Sequence, residues 1–314
     1  MIIYERLPEM PPPQGVALTI GTFDGLHRGH QKLLGELVAH TRQVGLLSAA
    51  LTFHPHPRTV LQAEVAPTYL LSLEERSRML AEMGLDLLIV LPFTRALADT
   101  PAEDFMRDLC MRLGMRELWV GQDFALGRNR EGNVQALQAF TSRLGYRLHI
   151  VEPVSEDGKP ISSTRIRNLL AEGAVDRAAE LLGRLYAVEA EVLHGAQRGR
   201  QLGFRTANLR LPLEFATPAN GVYAVWAIVE GEARRGAIAN IGIRPSFDAG
   251  LRLLEVHIFD YEGDLYGKRL RVEFVKRLRP ERRFEAAEAL IAQVRQDIEE
   301  ARCILQAAIA REER

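Results

Sequence analysis

Hydrophobic and polar positions alternate along the chain in two distinct ways, and the change falls near Gly183. In the first half, short apolar runs at residues 16–20, 46–53, 85–91, 118–120 and 148–151 read as strands, mostly buried on both faces. Between them, residues 31–44, 73–83, 102–113 and 134–144 carry apolar side chains at helical spacing, for example Leu33, Leu34, Leu37 and Val38. Gly45, Gly84, Gly114 and Gly145 stand where helix C-terminal caps are expected. Such strand–helix alternation predicts a parallel sheet with helices on both faces, whose ligands bind beyond the carboxyl ends of the strands.

Two short helices are predicted at 162–172 and 175–182, after which strands follow at short intervals: 186–193, 223–229, 236–241, 253–259 and 270–275. Glu255 and His257 alternate with Val256 and Ile258, the pattern of a half-exposed strand. This half predicts a small antiparallel barrel. Residues 284–314 predict one amphipathic helix or two, burying Ile291, Val294, Ile298, Ile304 and Leu305. The expected fold class is α/β: a Rossmann-like parallel-sheet domain over 1–183, then a small antiparallel β-barrel domain with a terminal helix over 184–314.

Composition narrows the function. The 314 residues, 47% hydrophobic and 26% charged, are those of a globular chain. A net charge of -1 gives no bulk attraction to nucleic acid or to acidic membranes, so phosphate binding has to be local. No apolar run approaches the roughly 20 residues of a membrane helix, and the first fourteen residues do not read as a secretory signal. Cys110 and Cys303 lie far apart in no ligand spacing. Neither a disulfide framework nor a zinc site is expected, both cysteines should pack as small apolar residues, and a cytoplasmic location follows.

Local chemistry concentrates at the strand-to-helix turn Gly21-Thr22-Phe23-Asp24-Gly25-Leu26-His27-Arg28-Gly29-His30. Gly21, Gly25 and Gly29 allow close backbone approach, and the following helix start offers N–H groups and a positive dipole end to phosphate. His27 and His30, three apart, would point to one side of a first helical turn. They could hydrogen-bond a phosphate chain and stabilise a departing pyrophosphate; capping or surface roles are the alternative. The run Ser162-Ser163-Thr164-Arg165-Ile166-Arg167 joins hydroxyls at a helix start to two guanidinium groups, which suits a triphosphate, though an ordinary N-cap with solvated arginines reads equally well.

In the second half, residues 195–209 form a loop rich in Gly and Arg that enters a strand. Gly199, Arg200 and Gly203 suit a flap over ATP phosphates, and Thr206 and Asn208 offer two neutral oxygens on one face, suited to Mg²⁺. A solvated turn is the alternative for this loop. Glu255 is either a rigidly aimed carboxylate or a solvent-face residue of an alternating strand.

Taken together, the segment 21–30 and the run 161–167 resemble the ATP-binding signatures of the HxGH nucleotidyltransferases, most closely the adenylyltransferase half of bacterial bifunctional riboflavin kinase/FAD synthetases. His54-Pro55-His56-Pro57-Arg58 and Val120-Gly121-Gln122-Asp123-Phe124-Ala125-Leu126-Gly127 resemble that family's loops after the second and fourth strands. The resemblance implies that His56, Pro57, Arg58, Asp123 and Phe124 are flavin-binding. It departs at Leu126, usually aromatic, and at Asn133, commonly acidic. Gly203-Phe204-Arg205-Thr206-Ala207-Asn208 is similar to the kinase motif Gly-Phe-Pro-Thr-Ala-Asn, with Arg205 in place of Pro, and Ser246 stands where Thr is usual. By the same resemblance Glu255 is the general base toward riboflavin, and Arg279 and Phe284 lie beside the flavin. Asp24 is expected to support its loop. The resemblance covers about residues 15–290.

The implied function is therefore two successive steps. Riboflavin and ATP give FMN in the second domain; FMN and ATP give FAD and pyrophosphate in the first, with Mg²⁺ as cofactor. An adenylyltransferase with a degenerate flavin-binding barrel, or a flavin-binding regulatory module, are the competing readings.

Overall fold

The computed structural model describes residues 1–62, 68–193, 204–243 and 252–312. The chain divides into two compact units, Met1–Ser163 and Thr164–Arg314.

The first unit is built on β1 (Ile2–Tyr4), β2 (Val16–Ile20), β3 (Leu47–His54), β4 (Leu87–Pro92), β5 (Met115–Gly121) and β8 (Arg147–Val151), joined in the order β1-β4-β3-β2-β5-β8 with every pairing parallel. Its helices are α1 (Arg28–Val44), α2 (Pro57–Leu61), α3 (Leu73–Glu82), α4 (Arg95–Ala98), α5 (Ala102–Leu113) and α6 (Val134–Leu144). Two small hairpins, β6 (Ala125–Leu126) with β7 (Gly132–Asn133) and β9 (Ser155–Glu156) with β10 (Lys159–Pro160), complete it.

All five residues of β2 are buried, and alternation sends them to two different cores. Val16, Leu18 and Ile20 pack with Phe105, Met106 and Leu109 of α5 and Leu137 of α6; Ala17 on the other face packs with Leu34 and Leu37 of α1 and Leu80 of α3. Fully burying a leucine such as Leu18 stabilises the fold by about 1.5–3 kcal/mol. The chain leaves β2 toward β3 and β4 on one side, then returns to place β5 and β8 on the other. The carboxyl ends of β2 and β5 therefore mark the point where strand order reverses, the usual ligand crevice of such sheets.

Beyond its first residue, α7 (Ser163–Glu172) belongs to the second unit, followed by α8 (Val175–Leu182), which packs against strands of the barrel that follows. That barrel is closed and antiparallel, in the order β11-β12-β15-β14-β13-β16, from β11 (Tyr186–Leu193), β12 (Ala207–Arg210), β13 (Gly221–Val229), β14 (Arg235–Ile243), β15 (Arg252–Ile258) and β16 (Arg269–Arg279). One helix, α9 (Ala287–Glu312), covers Ala224, Trp226, Ile238 and Phe259 with Ala301 and Leu305. Of the stripe expected from the sequence, Leu305 is fully buried, while Val294, Ile298 and Ile304 are partly so. Cys110 is half-buried against the first core, and burial raises its thiol pKa to about 11. Cys303 is exposed, so the expectation that it packs inside fails: it falls on the outer side of α9.

Candidate active sites

The turn after β2 is held from beneath. Asp24 is wholly buried, and its Oδ1 accepts hydrogen bonds from the backbone N–H groups of Leu70 (2.9 Å) and Leu71 (3.2 Å). The Thr22 carbonyl accepts from the guanidinium of Arg76. Phe23 and Leu26, both buried, take left-handed backbone angles (φ 46° and 40°), a conformation that costs energy and is kept only where surroundings dictate it. Gly25 beside them has φ 83°. Gly21 and Gly29 make room for protein rings: a Cβ at Gly21 would lie 3.1 Å from the Phe23 ring, and one at Gly29 would lie 3.2 Å from the His27 ring.

His27 is the N-cap of α1 rather than a residue of its first turn. Its Nδ1 accepts from the His30 backbone N–H at 3.3 Å. The two imidazoles nevertheless lie together, stacked at 3.7 Å with 16° between their planes, and Phe23 meets His30 edge-on at 5.3 Å. His30 keeps part of its surface open, but its Nδ1 is enclosed and has no hydrogen-bond partner. Desolvation, then the neighbouring His27 and Arg76, hold its pKa well below the ordinary imidazole value. At neutral pH the ring is neutral. The unfolded chain regains an ordinary imidazole and takes up a proton below about pH 6.5 that the folded chain refuses, so acidification lowers stability. This group contributes at most about 1.4 kcal/mol of loss per pH unit, and urea titrations at about pH 7 and pH 5 should show a smaller loss in His30→Asn. An identical pH dependence in that variant would refute the assignment.

Ser163 brings the second signature to the first: its hydroxyl donates to the Asp24 carbonyl at 2.8 Å. Ser162 is exposed, and Thr164, Arg165 and Arg167 stand on the opening turns of α7, in the second unit. Arg28 of α1 pairs with Glu156 of the β9 hairpin at 2.8 Å.

After β3, the His54–Pro55 bond is cis, and His56 caps α2 by accepting from the Arg58 N–H at 3.1 Å. Pro57 is the first residue of that helix and Arg58 is exposed. After β5, Asp123 is exposed and Phe124 rests against the core shared with α5 and α6. Gln122, Asp123, Phe124, Arg130, Asn133 and Gln135 line an open cavity of about 400 Å³. Leu126, where the resemblance expects an aromatic, packs on the same core as Phe124. Asn133 caps α6, its Oδ1 accepting from the Ala136 N–H at 3.0 Å. Aspartate caps a helix equally well, so Asn133 exchanges one N-cap residue for another. Gly127 (φ 74°) and Gly132 let this hairpin sit on the start of α5, since a Cβ at either would lie 2.7 Å from Ala102.

In the barrel, register brings the expected residues together. Asn208 of β12 lies directly opposite Glu255 of β15, and Glu255 lies directly opposite Asn240 of β14. All three are half-buried while their strand neighbours are buried, so they form a row across three strands on one face. Directly opposed residues have Cβ atoms about 4.5–5.5 Å apart. Thr206 precedes β12 and lines a cavity of about 320 Å³ together with Arg205, Val256, Tyr261 and Asp264; neither Asn208 nor Glu255 borders it. Arg205 is exposed, and its carbonyl accepts from Nδ1 of His257 at 2.8 Å, which fixes the proton on that nitrogen. Gly199, Arg200, Gly203 and Ser246 lie outside the described residues.

Arg279 ends β16, and its guanidinium is held by buried Asp297 of α9 through contacts of 2.8–3.1 Å. Phe284 is half-buried beneath Arg282, whose guanidinium lies 4.7 Å from the ring. Sequence reasoning missed Arg76, 2% exposed and beside both Asp24 and His30. Burial lowers its pKa although Asp24 and Tyr69 oppose the shift.

A family model described as FAD synthetase matches residues 9–165, and one described as riboflavin kinase matches residues 182–305. Similar proteins described as bifunctional riboflavin kinase/FMN adenylyltransferase include that of Escherichia coli K12, 39% identical over 91% of both chains. That of Pseudomonas fluorescens is 38% identical over 94% of both, and that of Bacillus subtilis 35% identical over 90% of both. A solved structure described as a macrolide-efflux protein from Streptococcus pneumoniae superposes with a TM-score of 0.87 at 29% identity, over 96% of this chain and 98% of that one. Among the described residues of this chain, no helix is long and apolar enough to cross a membrane.

Proposed function

The chain belongs to the bifunctional riboflavin kinase/FMN adenylyltransferase family, and on that premise we propose which residues carry each of its two reactions. Its C-terminal part converts riboflavin and ATP to FMN and ADP; its N-terminal part converts FMN and ATP to FAD and pyrophosphate.

In adenylyl transfer a phosphate oxygen of FMN attacks the α-phosphorus of ATP in line as the bond to pyrophosphate breaks. No covalent enzyme intermediate is needed. We assign His27 and His30 to the departing pyrophosphate. Because Nδ1 of His27 accepts a backbone N–H, its neutral ring carries the proton on Nε2, a donor for phosphate oxygen. Gly21, Gly25, Gly29 and the start of α1 take the nucleotide phosphates, with Phe23 and Asp24 holding the turn from behind. Ser162, Ser163, Thr164, Arg165 and Arg167 supply hydroxyls and guanidinium groups to the triphosphate. The observation that carries this assignment is the Ser163 hydroxyl on the Asp24 carbonyl, which ties one signature to the other. His56, Pro57, Arg58, Asp123 and Phe124 are assigned to the flavin side.

In the kinase reaction Glu255 accepts the proton of the riboflavin 5′-hydroxyl as that oxygen attacks the γ-phosphorus and ADP departs. The row Asn208–Glu255–Asn240 supports this, because it sets a carboxylate beside a neutral oxygen donor on rigid strands. Thr206 and Asn208 offer the oxygen ligands a hard cation prefers, so they would hold Mg²⁺, which when bound neutralises phosphate charge. Gly199, Arg200 and Gly203 are assigned to cover the phosphates. Phe284 is assigned to the flavin ring, while Arg279, engaged by Asp297, positions the segment leading to it.

We take the functional boundary to lie at residues 183/184, supported by a riboflavin kinase match that begins at residue 182, although α7 and α8 group with the barrel in packing. Two free cysteines favour a cytoplasmic location. Chromatography of products from riboflavin, ATP and Mg²⁺ tests the division of labour. The native chain should yield FMN and FAD. His30→Ala should accumulate FMN, with FAD synthesis slowed about 10²–10³-fold, the usual effect of losing one donor to a developing charge. Loss of both products in that variant would contradict the assignment.

A further inference from the structure

At the opposite end of the first unit's sheet from these loops, three side chains far apart in sequence converge. His40 lies near the end of α1, Glu117 near the start of β5, and His149 on β8 beside Trp119 in register. Their ligand atoms all lie within 4.8 Å of one another. Oε2 of Glu117, a residue 3% exposed, is 2.9 Å from Nε2 of His40 and 3.2 Å from Nε2 of His149. Both imidazole nitrogens are closed off from solvent, and both converge on this single carboxylate oxygen, which they share with poor hydrogen-bond alignment. Buried polar atoms are normally well satisfied, so two imidazole nitrogens crowded onto one buried carboxylate oxygen call for an explanation.

A metal ion supplies one. Two imidazole nitrogens and a carboxylate oxygen are the donor set of zinc and its transition-metal neighbours. Tetrahedral zinc with ligands at its usual bond lengths separates them by about 3.4 Å, so the two carboxylate–imidazole contacts have to open by only a few tenths of an ångström. The surroundings already orient the ligands. The Trp119 indole N–H donates to Glu117 Oε2 at 3.3 Å, and its ring stacks on His149 at 4.3 Å with 8° between planes. Arg147 reaches the other carboxylate oxygen at 3.7 Å. Outer contacts of this kind fix metal ligands in place.

We propose that His40, Glu117 and His149 bind one divalent transition-metal ion, zinc by preference, with a solvent molecule as fourth ligand. The ion ties α1 to β5 and β8. It stands about 15 Å along α1 from His30 and takes no part in phosphate chemistry. Mg²⁺ does not compete, since it prefers oxygen ligands and gives up water reluctantly.

The full-length chain, stripped with chelator, is titrated with Zn²⁺ by calorimetry and with Co²⁺ by visible absorption. The expected result is one equivalent bound, with the intense Co²⁺ bands of a tetrahedral site. His40→Ala and the near-isosteric Glu117→Gln should each lose that equivalent, whereas His30→Ala should retain it. The wild-type chain gives a second measurement: Zn²⁺ should protect His40 and His149 from diethyl pyrocarbonate, read by peptide mass spectrometry. An equivalent kept by Glu117→Gln, or lost in His30→Ala instead, would overturn the proposal, as would equal labelling of His40 and His149 with and without Zn²⁺.

Discussion

Replacing Glu255 with glutamine is expected to slow FMN formation from riboflavin and ATP by about 10²–10⁴-fold, the range over which a positioned proton acceptor acts. Synthesis of FAD from supplied FMN should continue. The amide keeps the size of the carboxylate and its place on β15, so riboflavin and ATP should bind nearly as before. The loss should therefore appear in kcat with little change in KM. Glu255 is only half-buried, so no strongly desolvated charge is removed and stability should hold. Steady-state kinetics of each half-reaction check this. A variant with unchanged kinase activity would return Glu255 to the role of a solvent-face residue.

The largest effect on stability is expected at Arg76. Its guanidinium is 2% exposed, donates to the Thr22 carbonyl beneath the phosphate-binding turn, and lies in the field of Asp24, itself wholly buried. Arg76→Ala removes a buried positive charge from beside that carboxylate and a donor from the Thr22 carbonyl, and disrupting a buried charged pair typically costs about 3–5 kcal/mol. The chain holds two tryptophans, Trp119 in the first unit and Trp226 in the second. In a Trp226→Phe background, indole fluorescence during urea unfolding therefore reports on the first unit. Arg76→Met combined with Asp24→Asn should recover part of the loss, because both charges are then gone. A cost below about 1 kcal/mol for Arg76→Ala would place this residue among ordinary surface ion pairs.

Legibility in the sequence followed the strength of local pattern. Val16–Ile20, Ala102–Leu113, Val134–Leu144, Val175–Leu182 and Tyr186–Leu193 form the expected elements at the expected residues. Each presents either a continuous apolar run or a clean apolar stripe. β1 has no such signal: Ile2 and Ile3 are exposed, and only pairing with β4 makes them a strand. β12 carries Ala, Asn, Leu and Arg, a poor strand composition, and owes its conformation to the partners on either side. The first helix begins at Arg28, three residues earlier than the expected start at residue 31, since His27 supplies a cap that hydrophobic periodicity does not register.

The candidate sites divide in the same way. Motifs contiguous in sequence, such as 21–30 and 161–167, could be read directly. Arg76 sits among Glu74, Glu75 and Arg78 on a short helix, where a charged residue reads as solvated. Only the tertiary fold turns it inward. His40, Glu117 and His149 share no local spacing, and only the tertiary fold brings their ligand atoms within 4.8 Å of one another.

The second unit closes its ring of strands through β12, four residues long, which meets β11 at two paired positions among the described residues. A ring has no edge to fray, so its shortest stave decides where it opens. That stave carries Asn208, opposite Glu255. If Asn208 holds Mg²⁺ as proposed, a bound substrate complex would also act as a clasp on the barrel itself, joining occupancy of the site to closure of the ring.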